Sequence, residues 1–363
     1  MTLSVGIVGL PNAGKSTLFN ALTSAGAQVG NYPFTTIEPN TGVVAVPDPR
    51  LARLAELFAP PKVIPATVTF NDIAGLVRGA SRGEGLGNKF LGHIRECDAI
   101  ALVVRAFEDG DVSHVEGGVD PLRDIDVIEL ELQLADLETV SKRLDRAEKT
   151  VRLQREKAVE TIALLQRVRD HLDAGNSVRT MGLGPGERDQ LRDLWLLTGT
   201  PLVVVVNVSD DQAASGGVPA AIATRAQQSG GEALAISARI ESELAELEPA
   251  DRDSFLADLG IEQPGLERLA RLAFGLLQLN TFFTAGEKEV RAWELRRGLT
   301  AVDAAGSIHT DFAKGFIRAE VCDAADLLAA GSYLALREQG KQRLEGKDYV
   351  IRDGDVVHFR FNV

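Results

Sequence analysis

A glycine-rich turn between an apolar segment and a helical one constrains this chain more than any other feature. Residues 4–22 read SVGIVGLPNAGKSTLFNAL, in which Gly9, Gly14, Lys15 and Ser16 fit the pattern G-x-x-x-x-G-K-[ST]. The pattern predicts a buried strand, a turn whose backbone N–H groups surround a phosphate, and a helix whose amino terminus faces that phosphate. A chance glycine-rich turn is the alternative, but strand, motif and helix follow one another in the order that a phosphate-binding loop (P-loop) requires.

The motif assigns a chemical role to each of its residues. The Lys15 ammonium would contact the β- and γ-phosphates of a nucleoside triphosphate, and the Ser16 hydroxyl would bind Mg²⁺. The residues expected to contact the nucleotide in this part of the chain are Asn12, Ala13, Gly14, Lys15, Ser16 and Thr17.

Two further segments follow in the order that nucleotide-dependent switch proteins use. NYPFTTIEPN contains Thr35 and Thr36, and either threonine is a candidate second Mg²⁺ ligand. VTFNDIAGLVRGAS predicts a strand that ends in Asp72-x-x-Gly75, where the carboxylate can hold the metal through water. Leu76 follows at the position where many P-loop hydrolases carry a glutamine that orients water. Because leucine has no polar group, we expect slow intrinsic hydrolysis.

Composition limits the partners of the chain. Its 363 residues suffice for about two or three domains. The net charge of −13 repels free DNA and RNA, so we expect no DNA partner and RNA contact only at a local basic patch. Cys97 and Cys322 have no metal or disulfide spacing, which suits a reducing compartment. No apolar run approaches the roughly 18 residues of a membrane span, so we predict a cytoplasmic protein without a membrane partner.

Apolar residues recur at helical spacing along two stretches after Asp126, which predicts an antiparallel coiled-coil hairpin with its turn within 147–156. The predicted stripes are Val127, Leu130, Leu134, Leu137 and Leu144, then Ala158, Ile162, Leu165 and Leu172. The cations near the turn are Lys142, Arg143, Lys149, Arg152, Arg155 and Lys157. This basic tip is a candidate contact for structured RNA, and a solvated helix end with Glu–Lys pairs is the alternative. From about residue 280, short alternating strands predict a small β-rich module.

Several motifs together make the chain resemble the YchF family, the Obg-like ATPase branch of the P-loop switch proteins. They are GLPNAGKSTLFNALT, NYPFTTIEPN, DIAGLVRGAS with GEGLGNKFL, HTDFAKGFIRAEV and RLEGKDYVIRDGDVVHFRFNV. The resemblance implies an α/β fold: a P-loop NTPase domain with a mostly parallel sheet flanked by helices over 1–279, interrupted by the hairpin at 122–197. It implies a carboxyl-terminal TGS domain with a β-grasp fold over 280–363. It further implies a preference for ATP over GTP, and binding to the ribosome at the large subunit, with RNA contacts from the TGS domain. The family pattern also favours Thr36 over Thr35 as the Mg²⁺ ligand.

The stretch PLVVVVNVSD, residues 201–210, predicts a buried strand followed by the loop that reads the base. The resemblance implies that Asn207 addresses N7 and that the Val208 carbonyl accepts from N6 of adenine. Ser237 stands where switch proteins place backbone contacts to the base. Asp210 replaces the glutamate of the family, and a carboxylate at this point can accept from N1–H and N2–H₂ of guanine. We therefore expect ATP, with GTP as the alternative.

Two residues are candidates for the work of the missing glutamine. Asn12 matches a position that helps to bind K⁺ in related switch proteins, and His114 matches a family histidine proposed to act near the γ-phosphate. A solvated loop histidine is the alternative for His114. The expected function is a ribosome-associated ATPase that slowly hydrolyses ATP and acts as a switch in translation or stress regulation. The alternatives are a GTPase in ribosome assembly and a nucleotide-bound scaffold whose turnover is incidental.

Overall fold

The computed structural model describes residues 3–28, 40–73, 86–108, 118–150, 155–214 and 217–362. The predicted ligand Thr36 and the predicted catalytic residue His114 lie outside these ranges. The chain divides into two compact units, the first formed by Met1–Val44 with Thr69–Leu269 and the second by Ala45–Val68 with Ala270–Val363.

The strands form two sheets. In chain order they are β1 (Ser4–Val8), β2 (Thr41–Ala45), β3 (Val63–Ile64), β4 (Thr67–Asp72), β5 (Ala99–Arg105), β6 (Leu202–Asn207), β7 (Glu232–Ile236), β8 (Leu279–Ala285), β9 (Val290–Arg296), β10 (Phe316–Asp323), β11 (Arg343–Glu345) and β12 (Asp355–Phe361). The first sheet has the order β2-β4-β1-β5-β6-β7, and the second has the order β11-β10-β12-β8-β9-β3.

The longer helices alternate with strands in the first half of the chain. The helices are α1 (Lys15–Gln28), α2 (Pro49–Phe58), α3 (Leu86–Arg95), α4 (Pro121–Thr150), α5 (Arg155–Asp173), α6 (Pro185–Leu191), α7 (Asp210–Ala214), α8 (Ala220–Gln228), α9 (Ala238–Glu246), α10 (Pro249–Asp258), α11 (Gly265–Leu276), α12 (Ala301–Ile308), α13 (Thr310–Lys314), α14 (Ala324–Ala330) and α15 (Tyr333–Glu338). Within the described residues, no helix is both long and apolar enough to span a bilayer.

The first sheet is parallel over β4, β1, β5, β6 and β7. Every residue of β1, β5 and β6 is buried, as expected for parallel strands that are covered on both faces. This is why these segments read as nearly continuous runs of valine, isoleucine and alanine. The parallel direction also brings the carboxyl ends of β1, β4, β5 and β6 to one edge of the sheet, where ligands bind in such folds.

Helices α4 and α5 pack against each other through a cluster of buried side chains, which includes Val140, Leu144, Leu164, Leu165, Val168 and Leu172. The predicted stripe was wrong at Leu130, whose side chain is 53% exposed. Its neighbours Ile128 and Leu132 are buried instead, in the core cluster that contains Val204 of β6. The first part of α4 therefore packs on the sheet, and its buried face differs in phase from the part that contacts α5.

The second unit combines residues that lie far apart in the sequence. β3 pairs in parallel with β9, and the Arg50 guanidinium bridges Asp48, which caps α2, and Asp353. Its core contains three phenylalanines from the sheet and three alanines from α12: Phe282, Phe316, Phe359, Ala301, Ala304 and Ala305. The predicted division into 1–279 and 280–363 assigns no early segment of the chain to the second unit. The contacts of the structure group Ala45–Val68 with the carboxyl-terminal residues.

Candidate nucleotide-binding site

The predicted phosphate-binding turn connects β1 directly to α1. Gly14 has φ +93°, and a Cβ atom at this position would lie 2.1 Å from Nδ2 of Asn207. Both its backbone conformation and the close approach of Asn207 therefore require glycine. Asn12 adopts φ +64°, a left-handed conformation that asparagine tolerates better than most residues. The turn thus positions the amino terminus of α1 at the carboxyl end of β1.

Lys15 at the start of α1 and Asp72 at the end of β4 carry opposite charges that act on each other. Lys15 is buried, and its Nζ donates a hydrogen bond to the Leu10 carbonyl at 2.8 Å. Burial lowers the pKa of the Lys15 ammonium, and the Asp72 charge opposes that shift. Burial likewise raises the pKa of the Asp72 carboxyl, against the opposing charge of Lys15. A phosphate beside Lys15 and a cation beside Asp72 would each favour the charged form.

A cavity of about 690 Å³ opens beside Lys15, within the usual size range for a small-molecule site. It is lined by the turn and first residues of α1, the end of β5, the loop after β6 and the start of α9. The lining residues are Asn12, Gly14, Lys15, Ser16, Thr17, Arg105, Phe107, Glu108, Asn207, Val208, Ser209, Asp210, Ser237, Ala238 and Arg239. The structure therefore brings together most of the predicted site residues. Ala13 joins this set through the hydrogen bond from Asn207, and the Asp72 charge acts on Lys15.

Asn207 joins two sides of the cavity. Its Nδ2 donates to the Ala13 carbonyl at 3.1 Å, and its Oδ1 accepts from the Ala238 N–H at 3.1 Å. The next residue, Val208, has a buried side chain, and its N–H donates to the Ile236 carbonyl at 2.9 Å. The carbonyl of Val208 and the side-chain amide of Asn207 are two polar groups of the lining that can contact a ligand.

The Asp210 carboxylate is held by two neighbours from the start of α9. Its Oδ1 accepts from the Ser237 hydroxyl at 2.7 Å, and its Oδ2 lies 2.7 Å from the Arg239 guanidinium. Ser237 is also the N-cap of α9, because its Oγ accepts from the Ile240 N–H at 3.2 Å. Its side chain therefore has a role beside the backbone contact that we predict for this residue.

Sequence reasoning missed several residues of the cavity, among them Arg105, Phe107 and Arg239. Arg105 is almost fully buried, its Nε donates to the Phe107 carbonyl at 3.0 Å, and its guanidinium lies 4.8 Å from the centre of the Phe107 ring. An arginine that ends the otherwise apolar strand AIALVVR was the available signal. Arg239 follows Ser237 and Ala238, the pair that we predict to contact the base, and this position was the corresponding signal.

Two protein-family models match the chain. Residues 4–167 match MMR_HSR1, described as "50S ribosome-binding GTPase". Residues 279–362 match YchF-GTPase_C, described as "Protein of unknown function (DUF933)". Together the two matched regions include the P-loop, the first hairpin helix and nearly all of the carboxyl-terminal module.

Several full-length relatives are also similar. "Ribosome-binding ATPase YchF" from Bacillus subtilis strain 168 is 50% identical over 366 residues, with 100% of both chains covered. The protein of that name from Escherichia coli O157:H7 is 47% identical over 363 residues, again with 100% of both covered. The solved structure of the Schizosaccharomyces pombe YchF GTPase is 37% identical and superimposes with a TM-score of 0.90, covering 99% of this chain and 98% of that one. The predicted fold class is confirmed, and the chain belongs to the YchF family.

Proposed function

We propose that the chain is a ribosome-associated ATPase that binds ATP in this cavity and slowly hydrolyses it to ADP and phosphate. One observation carries the proposal: Asn207 connects the P-loop to the base-contacting loops across a cavity of nucleotide size. Relatives named "Ribosome-binding ATPase YchF", about half identical over their full length, support both the ATPase activity and the ribosome as partner.

The phosphates would lie between the Lys15 ammonium and the amino terminus of α1. Ser16, Asp72 and Thr36 would hold Mg²⁺, which neutralises charge on the phosphates during transfer. The donor set fits this metal, because a hydroxyl and a carboxylate are the oxygen ligands that Mg²⁺ prefers. Asn12 would contribute to a K⁺ site at the same phosphates.

The base would occupy the end of the cavity between β5 and α9. The second hydrogen of Asn207 Nδ2 would donate to N7, and the Val208 carbonyl would accept from N6 of adenine. The ring of Phe107, fixed by the Arg105 guanidinium above it, offers a face on which a purine can stack. Ser237 and Ala238 close this end of the site.

Hydrolysis itself would depend on groups outside the described residues. Leu76 has no polar atom for water, so His114 would orient or accept a proton from the attacking water. We expect turnover to be slow until a partner or K⁺ is added.

We place the ribosome contact on the large subunit, within the cytoplasm, with RNA as the contacted surface. In the second unit, three arginines surround the single carboxylate of Glu320, at 2.9 Å for Arg360, 3.7 Å for Arg337 and 3.9 Å for Arg318. Three guanidinium groups around one carboxylate leave a net positive charge at this surface, which favours binding of RNA phosphates. The hairpin supports RNA contact less directly, because Lys142 pairs with Glu138 and Arg143 pairs with Asp193.

The test combines base competition with turnover. ATP and GTP compete for a fluorescent nucleotide with Mg²⁺, and phosphate release is followed in K⁺ or Na⁺, with and without purified ribosomal subunits. We expect tighter ATP binding and faster release with K⁺ and large subunits. Tighter GTP binding would favour the GTPase of ribosome assembly, and turnover that responds to neither addition would favour the scaffold.

A further inference from the structure

The residues Asp210, Ser237 and Arg239 form a set of contacts that we call the Asp210 clasp. Ser237 donates to one carboxylate oxygen and the Arg239 guanidinium lies against the other, each at 2.7 Å. All three residues line the cavity at the end where the base would bind. The carboxylate therefore faces the ligand site with a cation already on one of its oxygens.

The two purines differ at the edge that such a carboxylate would meet. Guanine presents two donors, N1–H and N2–H₂, to a carboxylate, whereas adenine presents an N1 acceptor and gains nothing from it. A guanine base would have to compete with the guanidinium for the carboxylate, and adenine would not. The clasp therefore weakens guanine recognition and leaves adenine recognition unchanged.

We propose that Arg239 is a positioning residue for base choice, which holds the Asp210 carboxylate away from guanine and so favours ATP. This inference rests on the proposed ATPase function and explains how an Asn-x-x-Asp loop accompanies it. Ser237 is a less suitable determinant, because its hydroxyl also caps α9. Arg239 can be released more easily, because its side chain is 75% exposed and Glu243 offers a second acceptor at 3.4 Å.

The expected effect is modest because exposed ion pairs are weak. Removal of the guanidinium should raise GTP affinity relative to ATP by roughly two- to fivefold. Both nucleotides carry the same triphosphate and Mg²⁺, so the ratio of their dissociation constants isolates the base from any change at the phosphates.

The experiment measures dissociation constants of ATP, GTP and ITP for the full-length protein and for Arg239→Ala. ITP lacks the N2 amino group, so a carboxylate that accepts from both guanine donors should give GTP a larger gain than ITP. Arg239→Lys keeps a cation on the same helix and should restore part of the ATP preference. Glu243→Gln is the matched control, since it removes the other acceptor of Arg239 and should leave the ratio unchanged.

A second background tests whether the gain passes through the carboxylate. In Asp210→Asn, the further change Arg239→Ala should produce no gain for GTP. An unchanged GTP-to-ATP ratio in Arg239→Ala, or a gain that persists in the Asp210→Asn background, would overturn the proposal. Should Arg239→Ala fail to fold, Arg239→Gln, which removes the cation and keeps a long polar side chain, is judged by the same criteria. Failure of the proposed function would look different, because the unaltered protein would then bind GTP more tightly or release no phosphate from ATP.

Discussion

Glu241 gives the structure its clearest pH-dependent stability. Its side chain is buried in the first turn of α9 and accepts from the backbone N–H groups of Gly265 at 2.6 Å and Leu266 at 3.3 Å. It therefore caps α11. Burial raises the pKa of the Glu241 carboxyl from 4.5 to about 7, against the opposing effect of these two hydrogen bonds.

The direction of the effect follows from proton binding. Between pH 4.5 and about 7, folded Glu241 keeps a proton that the unfolded chain has lost, so stability falls as pH rises. The contribution is complete below the unfolded pKa and is lost as pH passes through the folded pKa. A shift of this size corresponds to about 3 kcal/mol of unfolding free energy.

The variant Glu241→Gln tests this reasoning because glutamine stays neutral at every pH. It loses about one hydrogen bond to the α11 amino terminus, so at about pH 5 it should be less stable than the parent by about 1 kcal/mol. At about pH 8 the parent carries a buried charge, and the variant should be more stable by about 2 kcal/mol. The two stability curves should therefore cross.

The assay is urea denaturation followed by circular dichroism at several pH values, without nucleotide. Glu246→Gln, an exposed change on the same helix, is the matched control and should run parallel to the parent. Parallel curves for Glu241→Gln and the parent would refute the assignment of a raised pKa to this carboxyl.

Three other perturbations test the site and the hairpin. Gly14→Ala forces a side chain into a left-handed turn and against Asn207, so ATP affinity should fall roughly tenfold or more while circular dichroism is retained; unchanged titration of fluorescent ATP would contradict this. Phe107→Ala removes the ring on which the base would stack and should weaken ATP binding by about 1–3 kcal/mol in calorimetry, whereas Phe107→Tyr keeps the ring and should not. Equal losses of affinity in the two variants would exclude stacking. Asp136→Ala removes three hydrogen bonds, which the Leu197 N–H, the Thr198 N–H and the Thr198 hydroxyl donate to the carboxylate. It should lower the free energy of unfolding, measured by urea denaturation, by about 3 kcal/mol. A loss below about 1 kcal/mol would show that these hydrogen bonds contribute little to stability.

The phosphate end of the site could be predicted because local chemistry determines it. The left-handed φ of Gly14 favours glycine at that position, and Lys15 follows at the start of α1. These requirements act within a few residues, so they leave a readable pattern in the sequence. The family motifs then extended the prediction to the base-reading loop.

The features that sequence patterns did not predict depend on packing between segments that are distant in the chain. The phase of α4 changes because its first part packs on the sheet, and helical spacing alone cannot distinguish Leu130 from Ile128. Arg105 and Phe107 contact each other beside the cavity, and the sequence does not show that a cavity lies at the end of β5. The Asp210 clasp depends on the register between β6 and β7, which places Ser237 beside the loop after Asn207.

Because Ala45–Val68 belongs to the second unit, the order in which the chain is translated affects when that unit can fold. Arg50 and Asp353, which form an ion pair within that unit, are 303 residues apart in the chain. At typical elongation rates, Arg50 leaves the ribosome roughly 15–60 s before its partner is made. During that interval the apolar side chains of α2, among them Leu51 and Leu54, lack the surface that finally buries them. In a nascent chain that stops at Leu269, residues 45–68 would therefore lack the rest of their unit, and this unit cannot be completed before Asp353 and its neighbours are made.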